Sequence, residues 1–348
     1  MRELTGRLSP LAAACLAFLL APAASRAANP VDVKFNTFDR VQLHGSFYPA
    51  QGGAKSPCVI LVHRLGGSRQ QAGWEDLAKA LQKQDYAVLS FDLRGHGDSV
   101  DVDPATFWMV PSNLQYIRGA IQRKSKISHK DFSRDYTPML ANDVAAAKIF
   151  LDDQNNLKLC NSSNTMVVGE EDGAAIAALW ITSQWLRPPV AQRDVFGRVV
   201  AAPTLEGSQI CAAAWLSMPA TLNRVSLAPW FRASIPGSAY GTRTTIGDKV
   251  PMAFYYAKGD SSAASAARTL LSALSPGRGK QSLSVAKAKE GKAAGIDLVA
   301  KEAVKPDEDI AAFLSSALEK RTAGEWAHKD STQPQPIALS TFGYGYLR

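Results

Sequence analysis

The sequence predicts one α/β domain, a mostly parallel central sheet with helices on both faces, and three observations lead there. Short apolar runs rich in β-branched and aromatic residues read as buried strands: CVILVH at 58–63, TMVVG at 165–169, ICAAAWLS at 210–217 and VPMAFYYAKGD at 250–260. Segments of 10 to 15 residues with helical spacing separate them. No repeat or linker divides the chain, and 348 residues with 46% hydrophobic and 20% charged content are enough for one large core.

The N-terminus is set apart from this domain. Arg2 and Arg7 precede the apolar run LAAACLAFLLAPAA, and SRAA follows with small residues where a signal peptidase reads them, so residues 1–28 are expected to be a signal peptide cleaved near Ala27. The apolar run is about 14 residues, short of the roughly 20 that cross a bilayer. No later segment is long and apolar enough to span. The expectation is a secreted or periplasmic protein of a bacterial envelope, with no transmembrane segment after cleavage.

Cleavage would lower the net charge from +8 to +6 by removing Arg2, Arg7, Arg26 and Glu3. The basic residues are scattered and densest at Arg278 to Lys292, where no aromatic residue interleaves, so no nucleic-acid partner is expected. Three cysteines remain, Cys58, Cys160 and Cys211, without metal-like spacing, and Cys160 with Cys211 is a guess for a single disulfide.

Each element can be justified in order. VKFNTFD and VQLHGSFYP alternate as an antiparallel opening pair before the strand CVILVH. WEDLAKALQKQ places Trp74, Leu77, Ala78 and Leu81 on one helical face and leads into the strand YAVLSFDLRG. Residues 100–137 are polar and aperiodic over most of their length, an insertion. A helix from about Pro138 to Asp153 feeds TMVVG, and the apolar helix DGAAIAALWITSQWL follows it. Residues 186–208 read as a second insertion. Helix AASAARTLLSAL, strand SLSVAKAK and helix DEDIAAFLSSALEK close the core. The domain therefore runs from 29 to 321, with 322–348 a polar, irregular tail.

Three segments carry chemistry. HRLGGS at 63–68 and FDLRGHGDS at 91–99 each end a buried strand, and GEEDG at 169–173 sits on a strand-to-helix turn. Together they resemble the α/β-hydrolase superfamily, most closely its bacterial lipase, carboxylesterase and dienelactone-hydrolase-like branches. The resemblance implies the α/β-hydrolase fold and a nucleophile elbow, Gly-x-Ser-x-Gly, at residues 169–173. Gly169 and Gly173 match the glycines, and Glu171 stands in the nucleophile position. Asp260 fits the family's acid, and AAGIDLV puts Ala294 where its histidine would stand. Leu65 and Asp172 match the backbone donors of the oxyanion hole.

Acyl transfer needs a nucleophile and a base that takes and returns its proton. With Glu171 and Ala294 in those places the cycle lacks both. Glu171 could attack as a carboxylate, but the resulting ester would need a water activated by a histidine, and a fixed negative charge there would repel an anionic intermediate. Acids in the first turn of a helix are also simply favourable. The expectation is a secreted, catalytically degenerate pseudo-hydrolase that binds an unidentified small molecule or envelope ligand. The alternative is an ester hydrolase with an atypical Glu171 mechanism. Arg64 is expected to fill the old pocket in an ion pair with Glu170 or Glu171. No loop has EF-hand spacing, and three consecutive acids cannot all face one ion, so neither metal nor cofactor is expected.

Overall fold

Where apolar and polar residues alternate, the chain opens as a hairpin: Val31–Asn36 (β1) and Gln42–Tyr48 (β2) pair antiparallel, Val31 opposite Phe47. The uninterrupted apolar runs become Pro57–Val62 (β3), Ala87–Phe91 (β4), Asn161–Glu170 (β5), Ile210–Leu216 (β6), Met252–Ala257 (β7) and Val285–Lys289 (β8), almost wholly buried except at β8. The computed structural model describes residues 29–187, 190–193, 199–204, 206–236, 244–274, 284–300, 306–321, 324–329 and 337. The expected signal peptide lies outside the described residues, as do parts of the basic stretch at 278–292, of the 186–208 insertion and of the tail.

The eight strands form one sheet in the order β1-β2-β4-β3-β5-β6-β7-β8. β2 runs against both its neighbours, and every pairing from β4 across to β8 is parallel. Parallel neighbours need crossovers, and helices supply them. Trp74–Lys83 (α1) and Pro306–Glu319 (α5) cover one face; Ala141–Asn156 (α2), Glu171–Leu186 (α3) and Ser261–Ala273 (α4) pack on the other. α3 is buried around its whole circumference from Gly173 to Leu186, which explains its lack of a polar face.

The 100–137 insertion proves to be short helical turns held on the sheet rim. Its anchor is Arg94, fully buried, whose Nε donates to Asp143 Oδ1 (2.7 Å) and whose Nη1 donates to Asp39 Oδ2 (2.8 Å) and the Tyr136 hydroxyl (2.9 Å). Asn113 closes the network by donating to Asp39 and accepting from Tyr136. Apolar side chains such as Val102, Phe107, Trp108, Ile117 and Ile127 also enter the core, but from short irregular turns that leave no regular apolar period in sequence.

The described part of the tail is also held. Asn164 and Asn156 each both donate to and accept from the tail backbone, at Gly324 and Lys329 respectively, and Asn142 does so at Ile337. Paired amide bonds to main chain hold a segment whatever its side chains.

The guessed Cys160–Cys211 bridge is not formed. All three described cysteines are free and buried; the Cys160 thiol donates to Leu151 O (3.5 Å), while Cys211 Sγ lies 3.8 Å from Asn164 Oδ1.

Candidate active site at the strand-to-helix turn

β5 ends at Glu170 and α3 starts at Glu171 with no loop between them. The reversal puts Glu171 at φ 43, in the left-handed region, which costs a non-glycine residue on the order of 1–3 kcal/mol. Its glycine flanks permit the turn. A Cβ on Gly169 would lie 2.7 Å from Ala174 Cα, and one on Gly173 would lie 2.1 Å from the His63 carbonyl oxygen. The helix start is thereby pressed against both β5 and the end of β3.

Glu170 points inward and is fully buried. Its Oε1 accepts from the Arg64 backbone N–H (3.2 Å) and its Oε2 from the Ile296 N–H (2.7 Å). Burial raises its pKa, and the Ile296 and Arg64 amides pull it partly back. This one carboxylate thus ties the loops after β3 and β8 to the tip of β5. The buried Trp74 indole N–H stands beside it and closes no hydrogen bond of ordinary length.

Glu171 is half-buried, and burial raises its pKa; the Arg64 charge opposes this, and the negative charges of Glu170, Asp172 and Asp260 reinforce it. Asp172 is raised by burial and lowered by Arg64. The guanidinium of Arg64 acts on all three acids through space but makes no ion pair with any of them. The expected ion pair is therefore absent: Glu170 is satisfied by main-chain amides, Arg64's own among them, which leaves it no need of the side chain. Three acids face one unpaired cation.

The other expected residues arrive from the strands named. Asp260 follows β7 and caps α4, accepting from the Ala263 N–H (2.9 Å), while its charge still reaches Glu171. Ala294 and Gly295 follow β8, and Gly295 lies directly on the turn: a Cβ there would sit 2.3 Å from Glu170 Oε2 and 2.9 Å from Glu171 Oε1. The Gly295 N–H donates to Ser217 Oγ (3.1 Å), and Ser217, at the tip of β6, is itself left-handed at φ 52. Neither the Leu65 nor the Asp172 backbone N–H meets a protein acceptor among the described residues.

Sequence reasoning missed Ser217, Ile296 and Trp74. Ser217 immediately follows the run ICAAAWL, so its place at a strand tip was readable; the Ile296 amide is backbone and left no signal.

The histidines do other work. His63 Nε2 accepts from the Leu93 N–H (3.0 Å), and burial brings its pKa down to about 4; His96 is likewise lowered by burial, to about 3. Both rings are neutral at physiological pH. His96 stacks on His129 from the insertion, with centroids 4.3 Å apart. His328 belongs to the clamped tail, flanked by Ala327 and Lys329, which bind Asn155 and Asn156. Those clamps sit near the start of β5, roughly 25–30 Å along the strand from Glu171. His328 is out of reach of the turn. Among the described residues no group of three His, Cys, Asp or Glu side chains could hold a metal ion.

The chain folds as an eight-stranded sheet with one antiparallel strand and a glycine-flanked turn after its fifth strand, and residues 59–328 match the model of the alpha/beta hydrolase family. The chain belongs to that family. Among solved structures, this hydrolase-fold chain is similar to an esterase of Pyrococcus furiosus (TM-score 0.52, 14% identity, 83% of this chain and 91% of that one). It is also similar to a dienelactone hydrolase of Anabaena variabilis (TM-score 0.50, 13% identity, 84% of this chain and 98% of that one). At such identities the likeness is one of fold. No curated protein matches the chain closely enough to count as a relative.

Proposed function

We propose that this alpha/beta hydrolase is an exported, catalytically silent member of its family that binds a ligand of the cell envelope at the turn around Glu171. The observation that carries this reading is Glu171 at φ 43 on the glycine-flanked turn, with Gly295 laid against it. In our reading Glu171 occupies the nucleophile position and Ala294 the histidine position, so the β8 loop brings main chain where an imidazole would serve.

The electrostatics support binding over acyl transfer. Leu65 and Asp172 would offer amides to an oxyanion, but Glu170, Glu171 and Asp172 surround that place with negative charge and Arg64 pairs with none of them. Developing negative charge is disfavoured there. A ligand presenting ammonium or hydroxyl donors suits the site better than an anionic one. The export reading rests on the N-terminal sequence alone.

A panel of short- and long-chain chromogenic esters tests the reading, using residues 29–348 beside Glu171→Ala. We expect no turnover above buffer in either protein. Turnover in the parent that Glu171→Ala abolishes would overturn the binding reading and make Glu171 a working carboxylate nucleophile or base.

A further inference from the structure

The 100–137 insertion displays a surface that the turn at Glu171 does not use. Residues 118–130 contain Arg118, Arg123, Lys124, Lys126 and Lys130, all exposed, and no acid. Ile121 at their centre is 96% exposed, and Met109, elsewhere in the same insertion, is 76% exposed. A large aliphatic side chain in water among cations gains nothing by itself.

The tip is held in place rather than left loose. The Val102 N–H donates to Ser125 O (2.9 Å), the Trp108 indole to Lys124 O (2.9 Å) and the Arg118 N–H to Asp131 O (2.8 Å), while Ala120 and Ile127 are buried beneath it. Gly119 at φ 77 and Arg123 at φ 44 shape the bend that turns Ile121 outward. Acids nearby absorb little of the charge: Lys126 meets Asp101 at 3.7 Å, and Arg118 spends its guanidinium on the Lys130 carbonyl.

We propose that this tip is a peripheral docking surface for an anionic lipid bilayer. Cations draw the tip to acidic headgroups and Ile121 enters the headgroup boundary. A nucleic acid fits less well, because no exposed aromatic ring accompanies the cations and an aliphatic apex has no base to stack on. Among the described residues no helix is long and apolar enough to cross a membrane.

The experiment is co-sedimentation of residues 29–348 with vesicles of phosphatidylcholine alone or with 30% phosphatidylglycerol, at low and at physiological salt. Each basic residue near an anionic surface strengthens partitioning roughly five-fold. Arg123→Glu with Lys124→Glu should therefore weaken binding to the anionic vesicles by at least about 25-fold. Lys55→Glu with Lys83→Glu, the same charge change at exposed residues elsewhere, should weaken it far less. Ile121→Ser should weaken binding several-fold at unchanged charge. Thermal melts matching the parent confirm that all three variants fold. Equal loss in the two charge-reversed proteins, equal binding to both vesicle types, or no effect of Ile121→Ser would overturn the proposal. Tighter binding to single-stranded RNA than to the anionic vesicles, lost in the same tip variant, would overturn it in favour of a nucleic-acid surface.

Discussion

Two clusters of carboxylates, one around Arg94 and one at the β5–α3 turn, are neutralised differently. Asp39 and Asp143 are fully buried around Arg94, which binds both with direct hydrogen bonds. Burial pushes Asp39 up, but the Arg94 charge and its hydrogen bonds prevail and hold it lowered; burial prevails at Asp143, raised to about 6. At the β5–α3 turn, Glu170, Glu171 and Asp172 are all raised, and the guanidinium of Arg64 acts on them through space without pairing with any of their carboxylates. The first cluster fastens an insertion to the core. The second gathers three acids at a strand-to-helix turn with no side-chain cation paired to them.

The comparison predicts opposite behaviour of the two arginines. Arg94→Met leaves two buried acids without their cation and should cost about 3–5 kcal/mol in urea unfolding. Arg64→Met should change stability by less than about 1 kcal/mol, since it breaks no ion pair. A comparable loss in both variants would erase the distinction. Next in size, Gly173→Ala drives a methyl group toward the His63 carbonyl and should cost on the order of 1–3 kcal/mol.

Smaller effects separate strain from charge at Glu171. Glu171→Gly relieves the left-handed backbone and removes the charge, and should stabilise the protein by roughly 1 kcal/mol at pH 7. Glu171→Gln keeps the strain and removes only the charge, so its gain should be the lesser and should depend on pH. The folded-state pKa of Glu171 is raised above its ordinary value of 4.5, so its stabilising contribution is complete below that value and is lost as pH rises through the raised one. Thermal melts should therefore show the advantage of Glu171→Gln over the parent growing from pH 4 to pH 7. Asp39 is lowered from 3.8, so its contribution is present above that value and is lost as pH falls through the lowered one. A Glu171→Gln advantage that shrank toward neutral pH would break the account of the turn.

Much of the fold was legible because buried parallel strands leave continuous apolar runs and their crossovers leave helical spacing. CVILV, ICAAAWL and MAFYYA became strands with little change of boundary, and the TMVVG strand grew to Asn161–Glu170 because its early residues hold the tail through asparagines rather than through apolar packing. The glycine pair around Glu171 was legible for the same reason that it matters: close approach of backbone admits no Cβ. What stayed hidden rests on main-chain partners. Nothing in the letters AAGIDLV says that the Ile296 amide will bind Glu170, and nothing in HRLGGS says that Arg64 will offer its amide in place of its side chain. The Arg94 network was hidden too, since Asp39, Asn113, Tyr136 and Asp143 are scattered polar residues until the fold gathers them.

In the proposed reading, the turn at Glu171 retains the geometry of a hydrolase elbow and lacks its chemistry. Labelling with a fluorophosphonate probe, read by mass spectrometry, tests it most directly on the parent and on Glu171→Ser with Ala294→His. The account predicts no label on the parent and a modification at position 171 in the double variant. Labelling of the parent at another serine, with matching ester turnover, would contradict it.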